Sequence, residues 1–404
     1  MSSTLAAACI FGVLASSIPC SAETNMPFGQ RSLQRSPEAL IRLAQASSNR
    51  PEQQSAGDRL VDDLNANIVT IISGNPNGTY LDLAYDLLAV LDDGNELRIL
   101  PVVGKGGAQN LKDILYVRGI DMGITQSNIL KYYEKTGEAG KNISDKLRYI
   151  TRLHNEELHV LVAPSINKIE DLRGKKVNVS DEGSGTQLSA RLIFGALQIP
   201  IEETNMGQTD AFEAIKRGEI AATMLIAGKP SGAFTNLQAN PSEYKLLPVP
   251  YRPALYDDYL PATLRHSDYP NLIAEGQEVE TIAVGSVLAV FNWDPKSDRS
   301  RRVAKFTKAF FENFDKFLQP PRHPKWKEVN LAAKLPGWTR FSTAEEMLKT
   351  LNAKNISQTR TTNERNSSIE SLAPSYTGSI TDSQNKIKLF KEFMKWREKQ
   401  QGRQ

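Results

Sequence analysis

Cysteine is all but missing from this chain: Cys9 and Cys20 both fall within the first 22 residues, and none follows through Gln404. That excludes a disulfide framework and thiol chemistry beyond the amino terminus. Histidine is as scarce, four in 404 residues, and His154 and His159 stand five apart rather than at the helical spacing that holds zinc. They read as ordinary strand residues. One-sided charge is lacking too, since the formal net charge is only +3 and the basic residues are scattered. Nucleic acid and an anionic membrane surface are thereby set aside as partners. Long apolar runs are missing after the amino terminus; the strongest, residues 281–291, is too short to span a bilayer, so no stable membrane insertion of the mature chain is expected. Enzyme signatures are missing as well. The stretch Gly74-Asn-Pro-Asn-Gly-Thr has no P-loop lysine, Gly104-Lys-Gly-Gly carries one at the wrong spacing, and no Gly-x-Ser-x-Gly occurs. With no assembled acid, base or metal set the chain reads as a non-enzyme, without cofactor.

What is present begins with an export signal. Residues 1–22 contain no Lys, Arg, Asp or Glu, and an apolar run over 5–14 gives way to small residues ending at Ala22. This pattern predicts a signal peptide cut after Ala22 and a periplasmic mature protein. Pro19 before Cys20 argues against a lipid anchor on that cysteine. Residues 23–66, rich in Ser, Gln, Asn and Arg with a weak amphipathic piece at 37–46, read as a linker or loosely docked arm.

The rest repeats one device. Residues 177–186, Val-Asn-Val-Ser-Asp-Glu-Gly-Ser-Gly-Thr, break from a β-branched run into glycine-flanked hydroxyls, and a helical pattern follows at 187–197. Ser184 or Thr186 here could simply cap the helix, or the helix end could serve as an anion site. The same order occurs at 67–80, an apolar strand ending in Gly-Asn-Pro-Asn-Gly-Thr-Tyr before a helix with Leu83, Leu87, Leu88 and Leu91 on one face. It occurs again at 97–118, where the turn is Gly104-Lys105-Gly106-Gly107, and a third strand at 121–125 leads through Gln126, Ser127 and Asn128 into a helix. Such turns at the carboxyl ends of strands are where open α/β sheets bind ligands. Lys105 is either solvated or faces that crevice, where it would favour a carboxylate. Residues 147–162 read as two strands, 210–217 as helix, 220–227 as strand before the turn at Gly228, 244–248 and 281–291 as strands, and 301–318 as one helix with Phe306, Phe310, Phe314 and Phe317 along one side.

Asn-Gly-Thr-Tyr (77–80), Gly-Gly-Ala-Gln-Asn-Leu (106–111), Asp-Met-Gly-Ile-Thr-Gln-Ser (121–127), Asp-Leu-Arg-Gly-Lys-Lys-Val (171–177) and Gly-Ser-Gly-Thr (183–186), in that order and spacing, resemble the TAXI family of solute receptors for TRAP transporters. The similarity runs from about residue 68 to about residue 319, with Ala227-Gly228-Lys229-Pro230 and Tyr269-Pro270 matching later motifs. It implies an α/β, two-lobed periplasmic binding protein of type II, each lobe a mostly parallel sheet flanked by helices. Such a protein closes on a small organic anion, a carboxylate such as glutamate, a 2-oxoacid or a dicarboxylate, and delivers it to a TRAP permease in the membrane. The implied ligand-binding residues are Asn77, Gly78, Thr79, Tyr80, Lys105, Gly106, Gln126, Ser127, Ser184, Gly185, Thr186 and Gly228. The family's usual Gly-Gly-Thr-Tyr is Asn-Gly-Thr-Tyr here, its Thr-Gly-Gly-Ser is Gly-Lys-Gly-Gly-Ala, and its Ile-Pro-Ala-Gly-Thr-Tyr-Pro is Leu-Arg-His-Ser-Asp-Tyr-Pro.

Lobe 1 is expected from 67–162 and 256–341, lobe 2 from 163–255, with the Pro- and Tyr-dense stretch 248–270 recrossing between them. Residues 342–404 form a polar extension whose end, 387–396, has an amphipathic stripe. An ABC-type receptor or a ligand-presenting subunit of a membrane kinase shares the lobed scaffold and is the alternative function.

Overall fold

A computed structural model describes residues 55–76, 78–238 and 243–353. The expected signal segment, residues 23–54, and the expected amphipathic stripe at 387–396 lie outside the described residues. Within the expected arm, Ala56–Asn65 is a helix with no buried residue, opened by Ser55, whose hydroxyl accepts the Asp58 N–H at 3.0 Å.

Short aliphatic and β-branched runs make the strands. They are β1 (Ile68–Ile72), β2 (Arg98–Val102), β3 (Met122–Gln126), β4 (Leu147–Val162), β5 (Lys176–Asn178), β6 (Glu202–Thr204), β7 (Ala222–Ala227), β8 (Lys245–Leu246), β9 (Leu260–Arg265) and β10 (Glu278–Phe291). All ten join one sheet in the order β2-β1-β3-β10-β4-β7-β5-β6, with β8 on β4 and β9 on β10. At one end β2, β1 and β3 run parallel; at the other β7, β5 and β6 do; β10 and β4 lie antiparallel between them. The architecture is therefore α/β with two mostly parallel portions, as expected.

Two elements depart from the sequence reading. Residues 147–162 are one continuous 16-residue strand rather than two, because the polar run His154 to His159 is paired on both sides: first against β10, then against β7 from Glu157 to Val162. The stretch expected to recross between lobes includes β9, which pairs with β10 from Leu260 to Arg265. Both long strands thus run through both portions of the sheet.

Each portion is covered on both faces, as parallel sheets require. Around β1, β2 and β3, one face packs under Phe306, Phe310, Phe317 and Trp326, and the other under Leu111, Ile114, Ile129 and Leu130. Around β5 and β7, one cluster holds Val177, Ile193 and Phe194, and the other Phe212, Phe234 and Tyr244. The helix expected over 301–318 is two, Asp298–Glu312 and Phe314–Phe317, because Asn313 (φ −107°, ψ 16°) leaves helical geometry between them. That break turns Phe317 onto Trp326, with ring centroids 4.5 Å apart. Beyond the expected boundary at 341, residues 342–353 form a further helix. Its Ala344 is buried, and Met347, Leu348 and Leu351 pack on the same aromatic cluster.

Candidate functional site

Strand ends gather the site. The carboxyl ends of β1, β3, β5 and β7, with the loop after β2, border one cleft, and three of the loops leading into a helix present that helix's N-terminus to it. The termini are those of Thr79–Leu91 after Gly78, Gly107–Tyr116 after Gly106 and Gly185–Ala196 after Ser184. First-turn N–H groups of a helix have no partner inside it, so each end offers oriented donors and partial positive charge. The cleft is narrow, with about 40 Å³ of interior, room for little more than ordered water.

Glycine makes this closeness possible. A Cβ on Gly185 would stand 2.5 Å from Gln126 Oε1 and 3.2 Å from Gly107 N, and one on Gly107 would stand 3.3 Å from Gly185 Cα. The two helix ends therefore meet backbone to backbone. Three hydrogen bonds tie the same walls: Gln109 N–H donates to Gly183 O at 3.0 Å, Asn75 Nδ2 to Asp181 Oδ2 at 3.0 Å, and Thr79 Oγ1 to Gly228 O at 3.2 Å. Gln126 Oε1 is buried beside this seam and takes no hydrogen bond among the described residues.

At the floor lies Glu156, from the middle of β4 and 2% exposed. Tyr80 Oη donates to its Oε2 at 2.7 Å and Gln126 Nε2 to the same oxygen at 2.9 Å. Its Oε1 has no hydrogen-bond partner among the described residues. Burial pushes this carboxyl up to about 8, against the opposing pull of the Tyr80 and Gln126 hydrogen bonds. Burial first, and then Glu156 itself, hold the Tyr80 phenol well above its ordinary value. A carboxyl so placed is mostly neutral at pH 7 and can donate a hydrogen bond.

Of the residues singled out in the sequence, Gly78, Thr79, Tyr80, Lys105, Gly106, Gln126, Ser184, Gly185 and Thr186 line this cleft together. Lys105 is solvent-exposed and borders the cleft as well. Ser184 also caps its helix, accepting the Gln187 N–H at 3.1 Å. Thr186 Oγ1 accepts the Ile226 N–H at 3.1 Å. Asn77 lies outside the described residues. Ser127 does not face the cleft but borders a different cavity, because side chains of successive residues at a strand end point to opposite faces. Gly228 stands behind the wall: its carbonyl takes the Thr79 hydroxyl, and a Cβ there would be 2.9 Å from His154 Nε2.

Glu156, Asn75, Ser180 and Gly107 also line the cleft and were not expected to. Ser180 sits at φ 68°, a left-handed backbone uncommon for a residue with a side chain. For Glu156 a signal existed: two adjacent carboxylates inside a strand otherwise apolar at both ends. Glu157 takes the opposite face and is held structurally, accepting Lys325 Nζ at 2.8 Å and the Lys229 N–H at 2.9 Å. Among the described residues no cluster of His, Cys, Asp and Glu is arranged to hold a metal ion, and no helix is long and apolar enough to cross a membrane.

Comparison with solved structures finds similarity to a periplasmic transporter protein (14% identity, 73% of this chain and 97% of that one, TM-score 0.43). Similar too are the periplasmic binding protein BugD (12%, 65% and 88%, TM-score 0.41) and an ABC transporter protein from Parabacteroides distasonis (12%, 63% and 74%, TM-score 0.35). The family model that matches covers residues 71–337, from β1 to the loop beyond Trp326, and so takes in every cleft-lining element. The chain belongs to the NMT1-like family.

Proposed function

We propose that this protein is a solute receptor of the periplasmic-binding type, exported to the periplasm, which binds a small carboxylate in the cleft and delivers it to a TRAP-type membrane permease. The observation that carries the ligand reading is the convergence of helix N-termini at Thr79, Gly107 and Gly185, with Lys105, on one small cleft floored by a carboxyl that burial keeps protonated. The helix ends and Lys105 supply donors and positive charge, which favours an anion, with Gln126 Oε1 the buried acceptor beside them. The absence of an assembled catalytic set supports a binding role rather than an enzymatic one. The TRAP assignment rests on the five ordered motifs from Asn77 to Thr186. The two lobes would be 67–162 with 256–341, and 163–255, with β4 and β10 flexing where they pass between them. An ABC-type permease or a membrane kinase would use the same closure, and uptake assays with each candidate partner distinguish them.

A thermal-shift screen of small carboxylates, followed by calorimetry, tests the ligand class. Lys105→Met is expected to weaken binding by about 10- to 150-fold, the equivalent of about 1.5 to 3 kcal/mol for a hydrogen bond to a charged group. An unchanged dissociation constant would assign Lys105 to solvent alone. The pH profile is the second check. Glu156 is protonated below about 8 and ionises above it, so carboxylate affinity should hold from pH 6 to 7.5 and then fall by up to about tenfold per pH unit. Affinity that rises through the same range would identify a cationic ligand and overturn the carboxylate reading.

A further inference from the structure

A second opening, separate from the cleft, is far roomier. A cavity of about 730 Å³ lies between the helix Ser127–Thr136, the loop before β9, the middles of β4 and β10, and the turn at 335–338. That volume falls in the range of small-molecule sites, and the walls supplied by Val284, Leu335 and Trp338 are apolar. Into it comes Arg152 of β4, and among the described residues its guanidinium makes no hydrogen bond and no ion pair. Its Nε is buried with no acceptor. A Cβ on Gly285 would lie 2.6 Å from an Arg152 terminal nitrogen and 3.3 Å from Cζ, so the fork lies directly against the backbone of β10, and glycine at 285 keeps that space open.

The other charges around the cavity are mostly spent. Lys131 pairs with Asp258 at 2.7 Å, and Glu134 accepts the Ser144 N–H and hydroxyl at 3.0 and 2.7 Å. Lys135 has no ion-pair partner among the described residues, and of the three lining carboxylates only Asp258 is paired with a cation there. Over the lining, Lys131, Lys135 and Arg152 face Glu134, Asp257 and Asp258, so formal charge is balanced overall, and the planar fork of Arg152 stands out as a charged group with neither an ion pair nor a hydrogen bond among the described residues. An arginine fork without an acceptor is matched by a planar carboxylate, which it binds through two parallel hydrogen bonds.

We propose that this cavity is a second ligand site, separate from the cleft, which takes a small organic anion with a planar apolar body, its carboxylate on Arg152 and its body against Trp338 and Val284. The site would sit on β10 and on β4, the strand that also carries Glu156, so its occupant would bear on the same part of the sheet as the cleft ligand.

The probes are 2-naphthoate and its uncharged counterpart 2-naphthamide, followed by calorimetry and quenching of tryptophan fluorescence on the full chain. Naphthoate is expected to bind once per chain. Arg152→Met should weaken it at least about tenfold, naphthamide should bind comparably weakly to wild type and Arg152→Met, and Lys105→Met should leave naphthoate binding unchanged. Leu260→Glu, at a half-exposed rim position, adds a like charge without touching the interior and should weaken naphthoate at least about fivefold; it serves should Arg152→Met fail to fold. No naphthoate binding to wild type, equal affinity in Arg152→Met or in Leu260→Glu, or loss in Lys105→Met would each overturn the second site. Failure of the cleft reading alone, with no carboxylate found for it, would leave these outcomes readable.

Discussion

Glu156 is the residue at which stability and the proposed recognition meet. Its carboxyl is raised from an ordinary 4.5 to about 8 by burial, so folding favours the protonated form, and the chain takes up a proton on folding anywhere between those values. The contribution of this group is complete below about 4.5 and is lost as pH rises through about 8. One proton changes stability by about 1.4 kcal/mol per pH unit. Glu156→Gln keeps an oxygen to accept from Tyr80 and Gln126 but cannot ionise. Urea unfolding at pH 5, 6.5 and 8 is expected to show the variant gaining on wild type by up to that slope at each step. Parallel curves for the two proteins would mean that the carboxyl is ionised in the native state, and the anion reading of the cleft would lose its floor.

At the scale of elements, the helix Asp298–Glu312 carries the core and the helix Gly185–Ala196 carries the cleft. Phe310 is fully buried and meets Phe306, Phe317 and Trp326 at centroid distances of 6.2, 5.5 and 6.0 Å. Phe310→Ala should cost about 3–5 kcal/mol, seen as a lower urea midpoint; a loss below about 1 kcal/mol would mean that the cluster repacks. Gly185→Ala should act differently. The added methyl meets the movable end of Gln126 but also the Gly107 backbone, and overpacking of this kind costs about 1–3 kcal/mol. The cost falls on the closed cleft, since alanine is otherwise welcome in a first helical turn. Weaker ligand binding with an unchanged melting temperature is the expected pair of results.

These elements also show what the sequence could reveal. The strand-turn-helix units at 67–91, 97–116 and 177–196 were legible because apolar runs and glycine turns act locally, and nine of the twelve expected site residues gather at one cleft for that reason. Glu156 was legible only as one of two adjacent carboxylates in a strand; its role was not, since it depends on Tyr80 and Gln126 arriving from elements 76 and 30 residues away in sequence. Nor was the unity of residues 147–162, whose polar centre looks like a turn until β10 and β7 pair with it. Ser127 and Gly228 were misplaced by one residue or one layer, the error expected when a strand end is known but its facing is not.

At the scale of the whole molecule, the sheet connects its two mostly parallel portions through β4 and β10 alone, while the portions also touch at the seam of Gly107 and Gly185. A cleft of about 40 Å³ cannot admit a dicarboxylate as it stands, so entry requires the seam to part and the long strands to bend. The hydrogen bonds Gln109–Gly183, Asn75–Asp181, Thr79–Gly228 and Asn128–Ser189 are among those that must break. A ligand shifts such an equilibrium only by binding the closed form better, and oriented helix ends that converge only on closure supply that difference. Small-angle scattering is expected to show a smaller radius of gyration for wild type on saturation with the carboxylate that the screen finds. Gly185→Ala, which props the seam open, should stay at the larger value under the same ligand concentration and shrink only at concentrations higher by the loss in affinity. A radius that does not change with ligand in either protein would show that the two portions do not move as lobes, and the cleft would then have to fill through the loops alone.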